Sequence, residues 1–149
     1  MRLRLLASGS LGFGGLILMG MGAYFVFLRP PILPEDSRYI GVSLVQIQDS
    51  VPGMLPWLSR VFAVLGGYMF ATGLLTAYVA VTSVRTVRPV TTTVVAIAGL
   101  ASIGWMAITN FQIDSDFKWA LLAFTLPWVI SLLSFRLSHA MGEDRSLHG

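Results

Sequence analysis

Four long blocks without a charged residue constrain the fold of this chain more than any other feature of its sequence. They are Leu5–Leu28, Val61–Val84, Val90–Ile113 and Trp119–Phe135. A helix rises about 1.5 Å per residue and the hydrocarbon core of a bilayer is about 30 Å thick, so roughly 20 apolar residues are enough to cross it. The fourth block is short, but Lys118 and Arg136 beside it can snorkel and extend its reach. We therefore predict four transmembrane helices.

These blocks predict an all-α fold, an antiparallel bundle of four transmembrane helices in a single membrane domain covering residues 1–149. The helices are expected over about 5–28, 57–84, 90–113 and 118–140. A longer extracytoplasmic loop, residues 29–56, joins helices one and two, whereas the other two connections are short enough to make their helices antiparallel neighbours. Pro127 is expected to kink the fourth helix, because its nitrogen carries no hydrogen to donate.

The basic residues predict how the bundle is oriented in the membrane. One face collects six of them, namely Arg2, Arg4, Arg85, Arg88, Arg136 and Arg145. The opposite face has four in longer segments, namely Arg29, Arg38, Arg60 and Lys118. Because basic residues are enriched in cytoplasmic loops, we expect a multi-pass protein of the cell inner membrane with both termini in the cytoplasm.

The composition excludes several functional classes. Charged residues make up only 11% of the chain, against about 25% in soluble domains, and its small positive charge is thinly spread, which argues against a soluble enzyme and a nucleic-acid binder. With no cysteine, disulfides, thiolate metal sites and thiol redox chemistry are excluded. The four blocks contain no Asp, Glu, Lys, Arg or His, which argues against an ion-coupled transporter. The only histidines, His139 and His148, lie in the C-terminal tail and cannot hold haem between spans. We expect no cofactor, no metal and no catalysis.

The outer loop has two patterns that are typical of helix starts. Pro34 followed by Glu35 and Asp36 suits a first turn, and Gly41 suits its end. Ser43–Gln46 has the spacing of a capping box and predicts a second short helix, although residues 42–48 also fit a short extended segment.

Small residues form the faces on which membrane helices are expected to pack. Gly12, Gly15 and Gly22 share one face of helix one, and helix two has two smooth faces that contain Gly67 and Gly73. Two such faces are what a central helix would need. The glycine faces serve either packing within the chain or contact with a second copy or another membrane subunit.

Polar residues offer few candidate sites. Tyr68, Thr72, Thr76 and Asn110 lie within the spans and are predicted to line a small polar cavity, unless the hydroxyls bond to carbonyls or to neighbouring helices. The acids outside the membrane form two groups that suggest either a cation or acid–base site or helix-start and solvated turn residues. They are Glu35, Asp36 and Asp49 in the loop, and Asp114 with Asp116.

Two stretches, residues 33–41 (LPEDSRYIG) and residues 60–75 with the sequence Gly-Gly-Tyr at 66–68, resemble segments of small bacterial four-helix membrane proteins. In outline the chain is also similar to the DoxX-like families. The resemblance covers about the first 85 residues and implies a four-helix membrane fold, but it carries no established active site. The loop patch next to this helix, with Glu35, Asp36, Arg38 and Tyr68, is the candidate external binding surface.

Three functional hypotheses follow. The first is a non-catalytic accessory or interaction subunit, because glycine faces are combined with an absence of catalytic motifs. The second is a carrier or pore for a small neutral or apolar solute, with a cavity near Tyr68, Thr72 and Asn110. The third is a lipid-modifying membrane enzyme that uses the loop acids Glu35 and Asp36. The expected partners are the lipid bilayer and a second copy or another membrane subunit.

Overall fold

The computed structural model describes residues 2–82 and 89–147, except for the side chains at 89, 139 and 141–147. The described chain is helical and contains no strand. In chain order its elements are α1 (Arg2–Phe27), α2 (Pro34–Ile40), α3 (Leu44–Ser50), α4 (Met54–Thr82), α5 (Pro89–Gly99), a π-helical segment (Leu100–Gly104), α6 (Trp105–Gln112), α7 (Lys118–Ala123) and α8 (Leu126–Leu147). Arg85, Arg88 and His148, which the sequence analysis used, lie outside the described residues.

Four stretches of helix are long and apolar enough to cross a membrane. They are Arg2–Phe27, Met54–Thr82, Val90–Gln112 and Lys118–Ser138. They confirm the prediction of an all-helical chain with four candidate spans. The second span begins at Met54 rather than at residue 57. Pro56 therefore lies in its first turn, where the missing N–H would have no partner in any case.

The two short helices of the loop lie at the positions that their capping residues predict. Pro34 opens α2, and Gly41 ends it in a left-handed conformation with a φ of 76°, which glycine adopts without a steric penalty. The capping box of α3 is present: the Ser43 hydroxyl accepts from the Gln46 amide at 3.3 Å, and Gln46 Oε1 accepts from the Ser43 amide at 3.0 Å. The alternative of an extended segment over residues 42–48 is therefore wrong.

The central helix of the bundle is α1, which packs against both α4 and α8. The expectation that the second span is central is thus corrected. Along the α1–α4 contact Gly12 faces Ala80, Gly15 faces Gly73, and Gly22 faces Gly66. A Cβ atom added at Gly15 would lie 2.8 Å from the carbonyl oxygen of Gly73. The two backbones are therefore in direct contact. This is expected in lipid, where no hydrophobic effect drives helices together and small residues allow the close packing that holds them.

Of the five glycines predicted to pack, Gly67 has no packing role within the described chain. It is exposed, and no atom lies within 4 Å of a Cβ placed there. Its neighbour Gly66 is buried in the α1–α4 contact instead. Consecutive helical residues point about 100° apart, so only one member of this glycine pair can face α1.

Both remaining spans are interrupted. The third span passes through the π-helical segment, and the fourth breaks between α7 and α8 just before Pro127, where the proline was expected to kink it. The Ser10 hydroxyl of α1 donates to the Pro127 carbonyl at 2.8 Å. Trp128, which follows, is only 4% exposed, and its indole contacts Gly14 of α1 and Gly99 of α5. One large side chain thereby joins α1, α5 and α8.

Candidate functional site

A cavity of about 710 Å³, open to the surface of the bundle on one side, lies between α1, α6, α7, the first turn of α2 and Phe62 of α4. Its walls are mostly apolar and include several aromatic rings. The lining residues are Ile17, Gly20, Met21, Tyr24, Phe25, Arg29, Leu33, Glu35, Asp36, Phe62, Met106, Thr109, Asn110, Ile113, Ser115, Phe117, Ala120, Leu121 and Phe124. The charged residues all come from the connection after α1 and from α2, an end of the bundle that we call the loop end. The cavity therefore has a charged end and an apolar body.

Glu35 is the most deeply buried ionisable residue of this cavity. Only 2% of it is exposed, and its Oε1 accepts a hydrogen bond from the Ser115 hydroxyl at 3.2 Å. Ser115 is itself 1% exposed, and its hydroxyl oxygen also accepts from the Phe117 amide at 3.2 Å. Asp114, the residue before it, has a φ of 51°, so the tight turn between α6 and α7 carries Ser115 inward. Two segments far apart in sequence thus bury one carboxyl group at the loop end.

Asp36, the neighbouring acid, has a different role. Its Oδ2 accepts from the Leu33 amide at 2.9 Å, which satisfies an N–H group at the start of α2. The same oxygen accepts from Arg29 Nη2 at 3.2 Å. Asp36 is therefore a helix-start acid that also neutralises an arginine.

Arg29 is almost enclosed, with 8% of its side chain exposed. Besides Asp36, its guanidinium donates to the Pro30 carbonyl at 2.8 Å. It lies over the Phe62 ring with 3.5 Å between its central carbon and the ring centroid, which is a cation–π contact between the loop and α4. The positive charge of Arg29 is thus occupied by a carboxylate and an aromatic ring.

The other charged pairs at the loop end lie on the surface. Arg38 donates to Asp116 at 2.7 Å, and both side chains are more than half exposed. This hydrogen bond raises the pKa of Arg38 above its usual value. Lys118 pairs with Asp114 and lowers the pKa of that carboxyl group through its hydrogen bond. Within the described ranges no group of three or more His, Cys, Asp or Glu residues is arranged to hold a metal ion.

The structure brings together only part of the predicted binding surface. Glu35, Asp36 and Asn110 line the same cavity, whereas Arg38 is directed to the surface. Tyr68 is 71% exposed on α4, away from the cavity lining. Thr72 donates to the Tyr68 carbonyl at 2.8 Å, and the Asn110 amide donates to the Met106 carbonyl at 2.9 Å. Asn110 thus lines the loop-end cavity with residues of α1 and the loop, whereas Tyr68 and Thr72 do not line it.

Among the lining residues that were not predicted as site residues are the three that contact the acids or the arginine of the loop end, namely Arg29, Phe62 and Ser115. An arginine at the end of a span is ordinarily explained by snorkelling, so its position gives no sign of a buried partner. The one available signal for Ser115 was its place between two acids in a very short turn. No family model matches this chain, and no curated protein or solved structure matches it.

Proposed function

We propose that this chain is a non-catalytic, multi-pass inner-membrane protein that binds a small, largely apolar ligand in the cavity at the loop end. The observation that carries the proposal is an apolar cavity of about 710 Å³ whose polar groups are concentrated at one end. Cavities of about 300–1,000 Å³ with apolar walls and a few polar groups are typical of small-molecule sites. This similarity supports a role as a carrier or as a ligand-binding membrane subunit.

The proposed topology puts both termini in the cytoplasm and the cavity toward the opposite face. The four spans would then form an antiparallel bundle. Contact partners along α1 and α4 support this for one helix pair, because positions 12, 15 and 22 of α1 face positions 80, 73 and 66 of α4. The ligand would enter near the extracytoplasmic side of the bilayer.

Filling the cavity tests the proposal. Gly20 lines it, and a Cβ added there meets no atom within 4 Å, so Gly20→Leu should occupy part of the cavity without straining the bundle. Gly67→Leu is the matched control, since Gly67 has equal space but lies outside the cavity. The probe is the neutral dye N-phenyl-1-naphthylamine, added to protein in phosphatidylcholine nanodiscs.

We expect a saturable rise in fluorescence for the wild type and for Gly67→Leu, measured above empty nanodiscs. Gly20→Leu should weaken the saturable binding about tenfold or more, because a filled cavity excludes ligand atoms that each contribute up to about 1.5 kcal/mol. Equal binding by all three proteins would overturn the proposal, as would dye uptake that never saturates.

A second candidate function is association with another copy or another membrane subunit. The observation that favours it is the open face of α4 around Gly67 and Ala71, both exposed within the described chain. Small residues allow close helix contact. Gly67→Leu should then reduce the oligomer mass measured by native mass spectrometry, and an unchanged mass would exclude Gly67 from any such contact.

A further inference from the structure

The charge balance of the cavity identifies the class of ligand that would fit it, an inference that rests on the proposed function. The ion pairs within the described part of the chain are Arg29–Asp36, Arg38–Asp116 and Lys118–Asp114. Glu35 belongs to none of them. Its hydrogen-bond partner is the neutral hydroxyl of Ser115. The cavity therefore contains one carboxyl group without a cationic partner.

A buried carboxylate with no cationic partner is costly. Transfer of an ionised group out of water costs several kcal/mol unless a charge of opposite sign or several hydrogen bonds replace the lost solvent. Arg29, a cationic side chain on the cavity wall, is already held by Asp36, the Pro30 carbonyl and the Phe62 ring. Arg38 interacts with Glu35 through space, but it is more than half exposed and donates its hydrogen bond to Asp116, so solvent screens its effect on the buried carboxyl group. The missing positive charge would then come from the ligand.

The walls around Glu35 suit the rest of such a ligand. Tyr24, Phe117 and Phe124 add aromatic surface to the cavity, and aromatic rings attract cations as well as apolar groups. The deeper walls, formed by residues such as Ile17 and Met106, are apolar. A molecule with a cationic group at one end and a hydrocarbon body would match both regions at once.

We propose that the ligand is a lipophilic cation, an ammonium group on an apolar body, whose charge pairs with the Glu35 carboxylate at the loop end while its hydrocarbon part fills the cavity between α1, α6 and α7. Ser115 positions the carboxylate through its hydroxyl. Arg29 and Asp36 neutralise each other beside it, so that Glu35 alone provides the selectivity for positive charge.

The test uses three probes with the same chain length and different head groups, decylamine, decanol and decanoate, each displacing N-phenyl-1-naphthylamine from the wild type in nanodiscs of zwitterionic phosphatidylcholine. Empty nanodiscs correct for partition into lipid. We expect decylamine, which is protonated at neutral pH, to displace the dye at a concentration about tenfold or more below that of decanol, as a charge-assisted hydrogen bond to a buried carboxylate implies. Decanoate should be the weakest competitor.

Glu35→Gln keeps the size of the side chain and removes its charge. This variant should lose the preference for decylamine, measured as the ratio of the decylamine and decanol concentrations that displace half of the dye. Asp49→Asn is the matched control, because it removes an exposed acid of the loop that lies outside the cavity, and it should retain the preference.

Two results would overturn the inference. One is equal displacement by decylamine and decanol in the wild type, which needs no variant to fold. The other is a preference for decylamine that survives in Glu35→Gln. In either case saturable dye binding would leave the proposed function standing, whereas the absence of saturable dye binding in the wild type would remove both.

Discussion

Substitution of Gly73 by alanine should separate the two helices that pack most closely in this protein. A Cβ added at Gly73 would lie 2.6 Å from the Gly15 carbonyl oxygen and 2.7 Å from the Met19 nitrogen. Both atoms belong to the backbone of α1, so no side-chain rotation relieves the clash. Ordinary contact begins at 3.4 Å, and the helices must therefore part by about 0.8 Å. A gap of that size removes roughly a quarter to a half of the dispersion energy of each contact pair.

The expected cost follows from two opposing effects. Overpacking of a filled contact costs about 1–3 kcal/mol, whereas replacing an unobstructed glycine by alanine stabilises by about 0.4–1 kcal/mol. Gly67→Ala is the matched control on the same helix, since no atom lies within 4 Å of its added Cβ. We expect Gly73→Ala to have a free energy of unfolding about 2 kcal/mol below that of Gly67→Ala.

The assay is reversible unfolding in mixed micelles as the mole fraction of dodecyl sulfate rises, followed by circular dichroism. Gly15→Ala should resemble Gly73→Ala, because its added Cβ would meet the Gly73 carbonyl oxygen at 2.8 Å. The double variant should cost less than the sum of the two, because one separation of the helices relieves both clashes. Equal stability of Gly73→Ala and Gly67→Ala would refute the close contact between α1 and α4.

Three other predictions concern the core and the loop end. Trp128→Ala should lower the free energy of unfolding by about 3–5 kcal/mol in the same assay, because it empties the space between three helices; a loss below 1 kcal/mol would contradict this role. Arg29→Ala should cost about 3 kcal/mol by leaving a carboxylate without its partner, whereas Arg38→Ala, which breaks an exposed pair, should leave stability unchanged within error. Lys118→Met should raise the pKa of Asp114 toward its usual value in a carbon-detected NMR titration, and an unchanged pKa would show that the pair is absent in solution. Because Lys118 lowers that pKa, the small stabilisation is present at neutral pH and is lost as the pH falls through the pKa of the folded state.

The four spans could be predicted because the signal for a span is local. About 20 consecutive residues without charge contain both the length and the apolar character that a crossing requires. The short loop helices were predictable for the same reason: Pro34, Gly41 and the Ser43–Gln46 capping box each act within one turn. Structural features that depend on a single segment can therefore be predicted from the sequence.

Helix pairing could not be predicted from the sequence, because small residues indicate which face of a helix packs but not which other helix packs against it. The faces of α4 that contain Gly66 and Gly67 are equally smooth in sequence, yet only the first packs against α1. Lipid gives no hydrophobic preference between them, so the choice depends on the shape of α1. The place of Trp128 between Gly14 and Gly99 is likewise a contact of three distant segments.

The candidate site combines both kinds of information. Glu35 and Asp36 are equivalent in sequence, two acids in the first turn of α2, but only Asp36 accepts a hydrogen bond from a backbone N–H at the helix start. What directs Glu35 inward is Ser115, 80 positions away in the chain. A local sequence pattern cannot indicate a hydrogen bond between residues so far apart. The sequence alone therefore could not distinguish Glu35, which is buried, from a solvated acid.

Dense packing and an open cavity coexist in this chain because they lie at different places along the bundle. Trp128 fills the space where α1, α5 and α8 meet, and it belongs to a buried cluster that includes Leu11, Ile103 and Phe135. Toward the loop end the cavity lies between α1, α6 and α7, where Gly20 lines it and Glu35 is hydrogen-bonded to Ser115. The buried cluster and the proposed ligand site thus centre on different residues, although Met21, Met106 and Phe124 border both. Distant sites without shared partners contribute additively to the free energy of unfolding, so a substitution at Trp128 and one at Gly20 should act independently of each other.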